Sequence, residues 1–236
     1  MLPKSYYTFS ELSTLRQRGF LWLAKTLGGR FVHRQVSPAI VHVVGEHDGG
    51  EGSGIVFDKH HVLTCRHVVS DMRVASAQAF QGRTVTVEEV YRHETEDVAV
   101  IRIKEPLRTV PGLGFVDPMV SQKVYRFGHS RVPCSIGNSS PVMQNGEVTN
   151  ELIHVIGNRE LFLYSAISRP GDSGGAIVSD DGYVVGMTTE LLDSRVLARD
   201  GEEVFSPHYA GIPSSVLARV VDEMELGVQI PFETYV

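Results

Sequence analysis

The 236-residue chain predicts an all-β fold, a sandwich or barrel, with one helix at each end. Three observations carry this. Short runs of β-branched and aromatic residues recur between turn residues. Glycine is plentiful at 23, with 11 prolines, as closely spaced turns require. Apolar residues at helical spacing fall near the two ends. With 42% apolar and 21% charged residues the chain has the makings of a core, which excludes disorder as its dominant state.

The first element reads as one helix over residues 8–29. Thr8 and Glu11 form a T-x-x-E capping box, and Gly28-Gly29 stop it. Leu12, Leu15, Trp22, Leu23 and Leu27 give a partial apolar stripe, which predicts packing against the domain behind. The other reading is a surface-binding or regulatory arm. From Ser37 the pattern changes to strands at 39–44, 54–57, 62–64, 84–87 and 98–103. Gly112–Pro118 reads as a connector, and a second set follows at 123–127, 161–164, 175–178 and 183–186. A last helix begins near Ser214, with Pro213 at its first position and Val216, Leu217, Val220, Val221 and Met224 at helical spacing. One internal echo stands out: Ile55-Val56-x-Asp58-x-x-x-Val62 returns, at a constant offset, as Ile177-Val178-x-Asp180-x-x-x-Val184. Read as a repeat, it predicts two similar β-units, each contributing an equivalent hairpin.

Composition narrows the function. The net charge of −6, from 22 Lys+Arg against 28 Asp+Glu, argues against a nucleic-acid binder. The longest early apolar run, Gly19–Ala24, is too short to span a bilayer, and no convincing secretory leader is legible. Two cysteines, Cys65 and Cys134, exclude a disulfide scaffold. Together these features lead to the expectation of a cytoplasmic location.

Three segments carry chemistry: Thr64-Cys65-Arg66-His67-Val68, Glu96-Asp97-Val98-Ala99-Val100-Ile101, and Gly171-Asp172-Ser173-Gly174-Gly175. A lone histidine after a strand, or a lone aspartate before one, is ordinary. Three glycines around one serine are not. They allow a positive-φ turn and a close approach of backbone N–H groups to a ligand. Amide hydrolysis by serine needs a base near neutral pH, an acceptor that orients that base, and donors for the oxyanion. His67, Asp97 and Ser173 supply these types in the order His…Asp…Ser.

On these motifs the chain resembles the trypsin/chymotrypsin-like serine peptidases over roughly residues 37–225. T-C-R-H-V is similar to the family's T-A-A-H-C, E-D-V-A-V-I to its D-[IL]-A-[VL] strand, and G-D-S-G-G is its nucleophile loop. The resemblance implies two antiparallel six-stranded β-barrels with the active site between them. The implied division is an N-terminal helical extension (1–36) and a peptidase domain (37–236). That domain would hold barrels at about 37–111 and 119–212 and a terminal helix at about 213–225. It implies Ser173 as nucleophile, His67 as general acid/base, Asp97 orienting His67, and the N–H groups of Gly171 and Ser173 as oxyanion hole. Thr189, Glu190 and Leu191 fall where the family pairs with an extended substrate.

The departures are informative. Val68 and Arg169 stand where family cysteines would, so the usual bridges are missing. The short His–Asp interval and Ala210-Gly211-Ile212-Pro213-Ser214 look closer to compact bacterial HtrA-type peptidases, without room for a PDZ domain. The family's activation site, a basic residue before I-V-G-G, is absent, yet Asp172 is present. In activated relatives that aspartate pairs with a new N-terminal amine. Here the expected partner is an Arg or an N–H near residues 30–36. Ile167 stands where trypsin-like enzymes keep an aspartate, which predicts cleavage after uncharged apolar residues first; Thr188 and His208 are further pocket candidates, and a histidine there would instead favour an acidic residue.

A metal site built from Cys65, His67, His60 and His61 does not match a zinc spacing, so neither metal nor cofactor is expected. Cys65 and Cys134 read as packing residues. The expected partners are a protein or peptide substrate and a regulatory protein or second copy of the chain, with no nucleic acid or membrane. The runner-up function is a non-catalytic peptide-binding module of the same fold.

Overall fold

The computed structural model describes residues 19, 22–45, 50–69, 74–78, 83–107, 109, 113–134, 141–192 and 208–234. Among them, twelve strands close into two barrels. The first holds β1 (Ile40–Gly45), β2 (Glu51–Asp58), β3 (His61–Thr64), β4 (Val74–Gln78), β5 (Thr84–Arg92) and β6 (Ala99–Ile103), in spatial order β1-β2-β3-β6-β5-β4. The second holds β7 (Lys123–Gly128), β8 (Val142–Val155), β9 (Arg159–Tyr164), β10 (Ala176–Ser179), β11 (Val184–Leu192) and β12 (His208–Pro213), in order β7-β8-β9-β12-β11-β10. Every ladder is antiparallel. The two-barrel expectation holds.

Strands with a clear apolar pattern formed where it predicted them. In β6, Ala99, Val100, Ile101 and Ile103 are buried while Arg102 faces solvent. Two closed sheets leave few unpaired edges, and the buried aliphatic set does the work that disulfides do in bridged relatives. β4, β8 and β12 are additions to the predicted strands. β8 exposes most of its side chains and buries only Val148 on the barrel side, so no two-residue apolar period marks it.

The internal echo is corrected. Val56 pairs with Val62 and Val178 with Val184, so both segments are bulged hairpins. However, β2–β3 are the second and third strands of their barrel, whereas β10–β11 are the fourth and fifth of theirs. The likeness comes from shared hairpin chemistry and not from a repeat of the barrel.

The N-terminal helix is also revised. Residues 22–27 are helical, Gly28 breaks the run at φ +68°, and a second helix, α1 (Gly29–Val36), starts at once. Residues 8–18 lie outside the described residues. Ala24, Val32 and Val36 are fully buried in the main core, each of the valines worth about 1.5–3 kcal/mol of apolar burial. Trp22 and Leu27 instead remain 66% and 57% exposed. The segment before residue 37 thus contributes to the core. At the other end, α3 (Ser214–Glu223) buries Val216, Leu217, Val220 and Val221, following the short α2 (Arg66–Val69) in the first barrel. Pro213 is the residue before α3 and not its first position. Asp117 Oδ1 accepts the Ser215 N–H at 2.8 Å and Ser214 Oγ donates to Val184 O at 2.8 Å, which ties α3 to the second barrel. No helix among the described residues is long and apolar enough to cross a membrane.

Candidate active site

β3 ends at Thr64, and α2 turns His67 outward; its ring is half exposed. The loop before β6 presents Asp97, whose side chain is 15% exposed. Asp97 Oδ2 lies 2.8 Å from His67 Nδ1, and Asp97 Oδ1 accepts the His67 backbone N–H at 2.9 Å. The Thr189 hydroxyl donates to Asp97 Oδ2 at 2.6 Å. Burial pushes the Asp97 carboxyl up, but the His67 ring, its charge, the Thr189 hydroxyl and the His67 N–H together hold it below the usual carboxylate range. An ionised Asp97 can only accept, so Nδ1 carries the proton in the pair and Nε2 is the basic nitrogen.

Ser173 reaches the same place from the second barrel. Its Oγ donates to Thr189 O at 3.1 Å. Thr189 therefore touches Asp97 with its hydroxyl and Ser173 with its carbonyl. Thr189 is 3% exposed.

The nucleophile loop is built of turns. The N–H groups of Asp172, Gly174 and Gly175 are taken by Arg169 O, Thr188 O and Asp172 O at 2.8–3.0 Å. Among the described residues, nothing takes those of Gly171 and Ser173. Pro170 O is held by the Arg131 N–H at 2.9 Å, which fixes the Pro170–Gly171 peptide. Gly171 has φ +94°, and a Cβ there would stand 2.4 Å from His129 O, so both conformation and space require glycine.

Ser53 was not singled out by the sequence. It lies on β2, its Oγ donates to Gly171 O at 2.7 Å, and its N–H donates to Ser173 O at 2.8 Å. The His129 N–H donates to the same Ser53 Oγ at 2.8 Å. Its one sequence signal is a hydroxyl between two glycines inside a strand, Gly52-Ser53-Gly54.

The partner of Asp172 is corrected. It does not come from residues 30–36. Buried Arg126 on β7 donates from Nη1 to Asp172 Oδ1 at 2.6 Å, Ser130 Oγ donates to the same oxygen at 2.6 Å, and the Arg169 N–H donates to Oδ2 at 2.7 Å. Strand alternation in Lys123-Val124-Tyr125-Arg126-Phe127 gave no sign of a buried cation.

The remaining candidates separate. Past Thr188, β11 pairs with β12, while its pairing with β10 ends at Met187 and its backbone bonds to the nucleophile loop end at Thr188. Beyond this point no strand among the described residues pairs with that side of β11, as strand addition by a substrate needs. Glu190 and Leu191 lie on that edge; their side chains lie outside the described residues. Thr188 is buried and accepts from Tyr164 OH at 3.3 Å. His208 is exposed and pairs with Leu192 at the far end of β11. Ile167 is 42% exposed, and its carbonyl is taken by Arg126 Nη2 at 2.8 Å.

Cys65 Sγ, a His67 ring nitrogen and an Asp97 oxygen all lie within 4.8 Å of one another. The thiol donates to Thr188 O at 3.2 Å, and burial pushes it well above its ordinary value, so it keeps its proton and is a poor ligand. His60 and His61 face Ile103 O and Asp58 at 3.1 and 2.8 Å.

Two closed six-stranded antiparallel barrels define the chymotrypsin-like fold class. The trypsin-like peptidase domain profile matches residues 52–187, more than half of the chain and all three of these residues. The chain belongs to that family. It is 29% identical over 208 residues to the periplasmic serine endoprotease DegP of Escherichia coli, covering 80% of this chain and 40% of that one. It is 30% identical over 154 residues to the chloroplastic Protease Do-like 1 of Arabidopsis thaliana, covering 60% of this chain and 33% of the relative. The chain thus spans less than half the length of these two relatives. The crystal structure of a serine endoprotease from Yersinia pestis shares the fold, with a TM-score of 0.63 and 21% identity over 83% of this chain and 66% of that one.

These relatives overturn the expectation of a cytoplasmic location, since one is periplasmic and the other chloroplastic. The thiol argument behind it fails physically. Cys65 is buried with no second cysteine beside it, so its free state reflects packing and not the redox poise outside.

Proposed function

We propose that the chain is a serine endopeptidase that hydrolyses peptide bonds through an acyl-enzyme. The observation that carries this is the convergence on Thr189: its hydroxyl on Asp97, and Asp97 on the His67 ring, while its carbonyl accepts from the Ser173 hydroxyl. Ser173 attacks the scissile carbonyl. Its proton passes to His67 Nε2, which returns it to the leaving amine, while Asp97 stabilises the imidazolium. The N–H groups of Gly171 and Ser173, unspent among the described residues, receive the oxyanion. The substrate main chain lies along β11 from Thr189 onward.

The preferred residue before the cleaved bond is uncharged and apolar, on the ground that Ile167 replaces an anionic pocket base. A peptide-library profile dominated by Arg or Lys refutes this preference. Ser173→Ala abolishes turnover and labelling by a fluorophosphonate probe while the thermal melt is unchanged; a folded Ser173→Ala that still cleaves refutes the mechanism. A wild type that binds peptides but neither cleaves nor labels is the peptide-binding module. Regulation by a protein partner or a second copy through the N-terminal segment is tested by deleting residues 1–21, which spares buried Ala24, Val32 and Val36. Unchanged activity and unchanged mass in solution refute it.

A further inference from the structure

Asp97 stands near the end of a short loop, residues 93–98, that joins β5 to β6. The loop closes on itself where the His93 N–H donates to Val98 O at 3.0 Å, and Arg66 Nη1 donates to Glu94 O. The Glu96 N–H, one residue before Asp97, donates to the side chain of His93, at Nδ1, over 3.0 Å. A backbone N–H can only donate. Nδ1 is therefore the acceptor, and the proton of the neutral ring is on Nε2. That nitrogen donates to Glu223 Oε2 of α3 at 3.1 Å. One turn earlier on α3, Arg219 Nη2 lies 3.5 Å from Glu96 Oε1. The His93 and Glu96 side chains are mostly buried, while Arg219 and Glu223 are half exposed. α3 thus touches both ends of the four residues that precede Asp97. It is itself rooted on the second barrel through Ser214 and Ser215.

We propose that His93 is the positioning residue of the Asp97 loop, held to that task by Glu223 of α3. This rests on the hydrolase reading above. A neutral imidazole has one acceptor nitrogen and one donor, and here each is spent on a different element. The acceptor fixes the peptide just before Asp97. The donor fixes the ring itself, because Glu223 stands on its far side. An aliphatic side chain of similar size would fill the same space and supply neither bond. Without the acceptor, the Glu96 N–H turns toward water. Asp97 is then held only from its side-chain end, by the His67 N–H, the His67 ring and the Thr189 hydroxyl. Moving a catalytic group by about 1 Å can cost roughly a hundredfold in rate, and a loop that keeps its other bonds should lose about tenfold.

The test uses the full chain and a peptide substrate. His93→Leu keeps most of the bulk of the ring and loses both nitrogens. His93→Asn keeps an acceptor, its amide oxygen, in the place of Nδ1, and is too short to reach Glu223. Folded His93→Leu is expected to lose about tenfold in kcat with KM within about threefold, while His93→Asn stays within about threefold of wild type in both. The downfield proton resonance of His67 Nδ1–H reads its bond to Asp97, and it should move in His93→Leu and stay in His93→Asn. Glu223→Ala should lower kcat about twofold or more in the wild-type background and leave it unchanged in the His93→Asn background, where no ring is left to hold. His93→Leu with wild-type kcat or an unmoved resonance overturns the proposal. So does an equal fall in His93→Leu and His93→Asn, which makes the role one of packing. Should His93→Leu fail to fold, the two Glu223→Ala backgrounds decide: a fall confined to the chain that keeps His93 supports the proposal, and equal effects in both overturn it. A wild type that neither cleaves nor labels with a fluorophosphonate sinks the hydrolase reading, and the resonance then decides by itself whether His93 places Asp97.

Discussion

Protonation of His129 is expected to loosen the fold in mild acid, and His129→Phe should remove that sensitivity. His129 follows β7, is 4% exposed, and has no hydrogen-bond partner on Nδ1. Its Nε2 lies 3.4 Å from Ile40 O, and its ring stacks on His42 with centroids 5.2 Å apart. The charged groups around the pair are His42, Glu51 and Arg131, the last two bridged at 2.6 Å. Burial, with a smaller push from His42, lowers the imidazole from 6.5 to about 4. The sign follows. Between these values the unfolded chain binds the proton and the native one does not, so stability is full at neutral pH and declines as pH falls through 6.5 toward 4. At pH 5 the loss from this one group is about 2 kcal/mol, or a fall in melting temperature of roughly 4–8 °C for a chain of this size. Urea denaturation of wild type and variant at pH 7.5 and pH 5 isolates the effect, because the two proteins differ in this one titratable side chain. Phe keeps the stack on His42 and cannot take a proton. Whatever its absolute stability, the variant should lose about 2 kcal/mol less than wild type between the two conditions. Equal losses refute the reasoning.

Thr189→Val removes the donor on Asp97 at 2.6 Å. A hydrogen bond to a charged group is worth about 1.5–3 kcal/mol, so kcat/KM should fall roughly tenfold to a hundredfold, with the acid limb of the pH–rate profile moving to higher pH. Gly171→Ala and Gly157→Ala both force a side chain to positive φ, +94° and +88°, but only the first also meets backbone, His129 O at 2.4 Å. Urea denaturation should show about 1 kcal/mol lost at Gly157 and about 3 kcal/mol or more at Gly171. A thiol reagent should titrate one cysteine, exposed Cys134, in the native protein, and both after denaturation, since Cys65 is buried with its thiol pushed well up.

What was legible in the sequence was local. G-D-S-G-G announces its loop because tight turns and close approach demand glycine at fixed spacing. Strands such as β3 and β6 announce themselves through aliphatic runs. β8 does not, because a strand whose faces are mostly solvated carries no apolar period. β12 holds Gly211 and Pro213, which read as punctuation. Arg126 was hidden for a different reason. On an alternating strand a cation is expected to face solvent, and only Asp172, 46 residues further on, explains its burial. Thr189 shows the same limit: its position beside the site was readable by resemblance, but the direction of its hydroxyl was not.

These non-local contacts share one consequence. The nucleophile loop is gripped from both barrels. Ser53 of the first barrel holds Gly171 O and Ser173 O, and Thr64 Oγ1 holds Ser53 O at 2.7 Å. Arg126 of the second barrel holds the loop from within. His129 links the two grips, because its N–H donates to Ser53 Oγ and its carbonyl lies against Gly171. Among the described residues, then, the Gly171 and Ser173 backbone and the Ser173 hydroxyl are set by how the barrels dock and not by either barrel alone. A shift between barrels of about 1 Å would stretch the bonds of 2.7–2.8 Å at Ser53 past hydrogen-bonding range while leaving each barrel's own strand ladders intact. Activity should therefore fail ahead of global unfolding under mild denaturant.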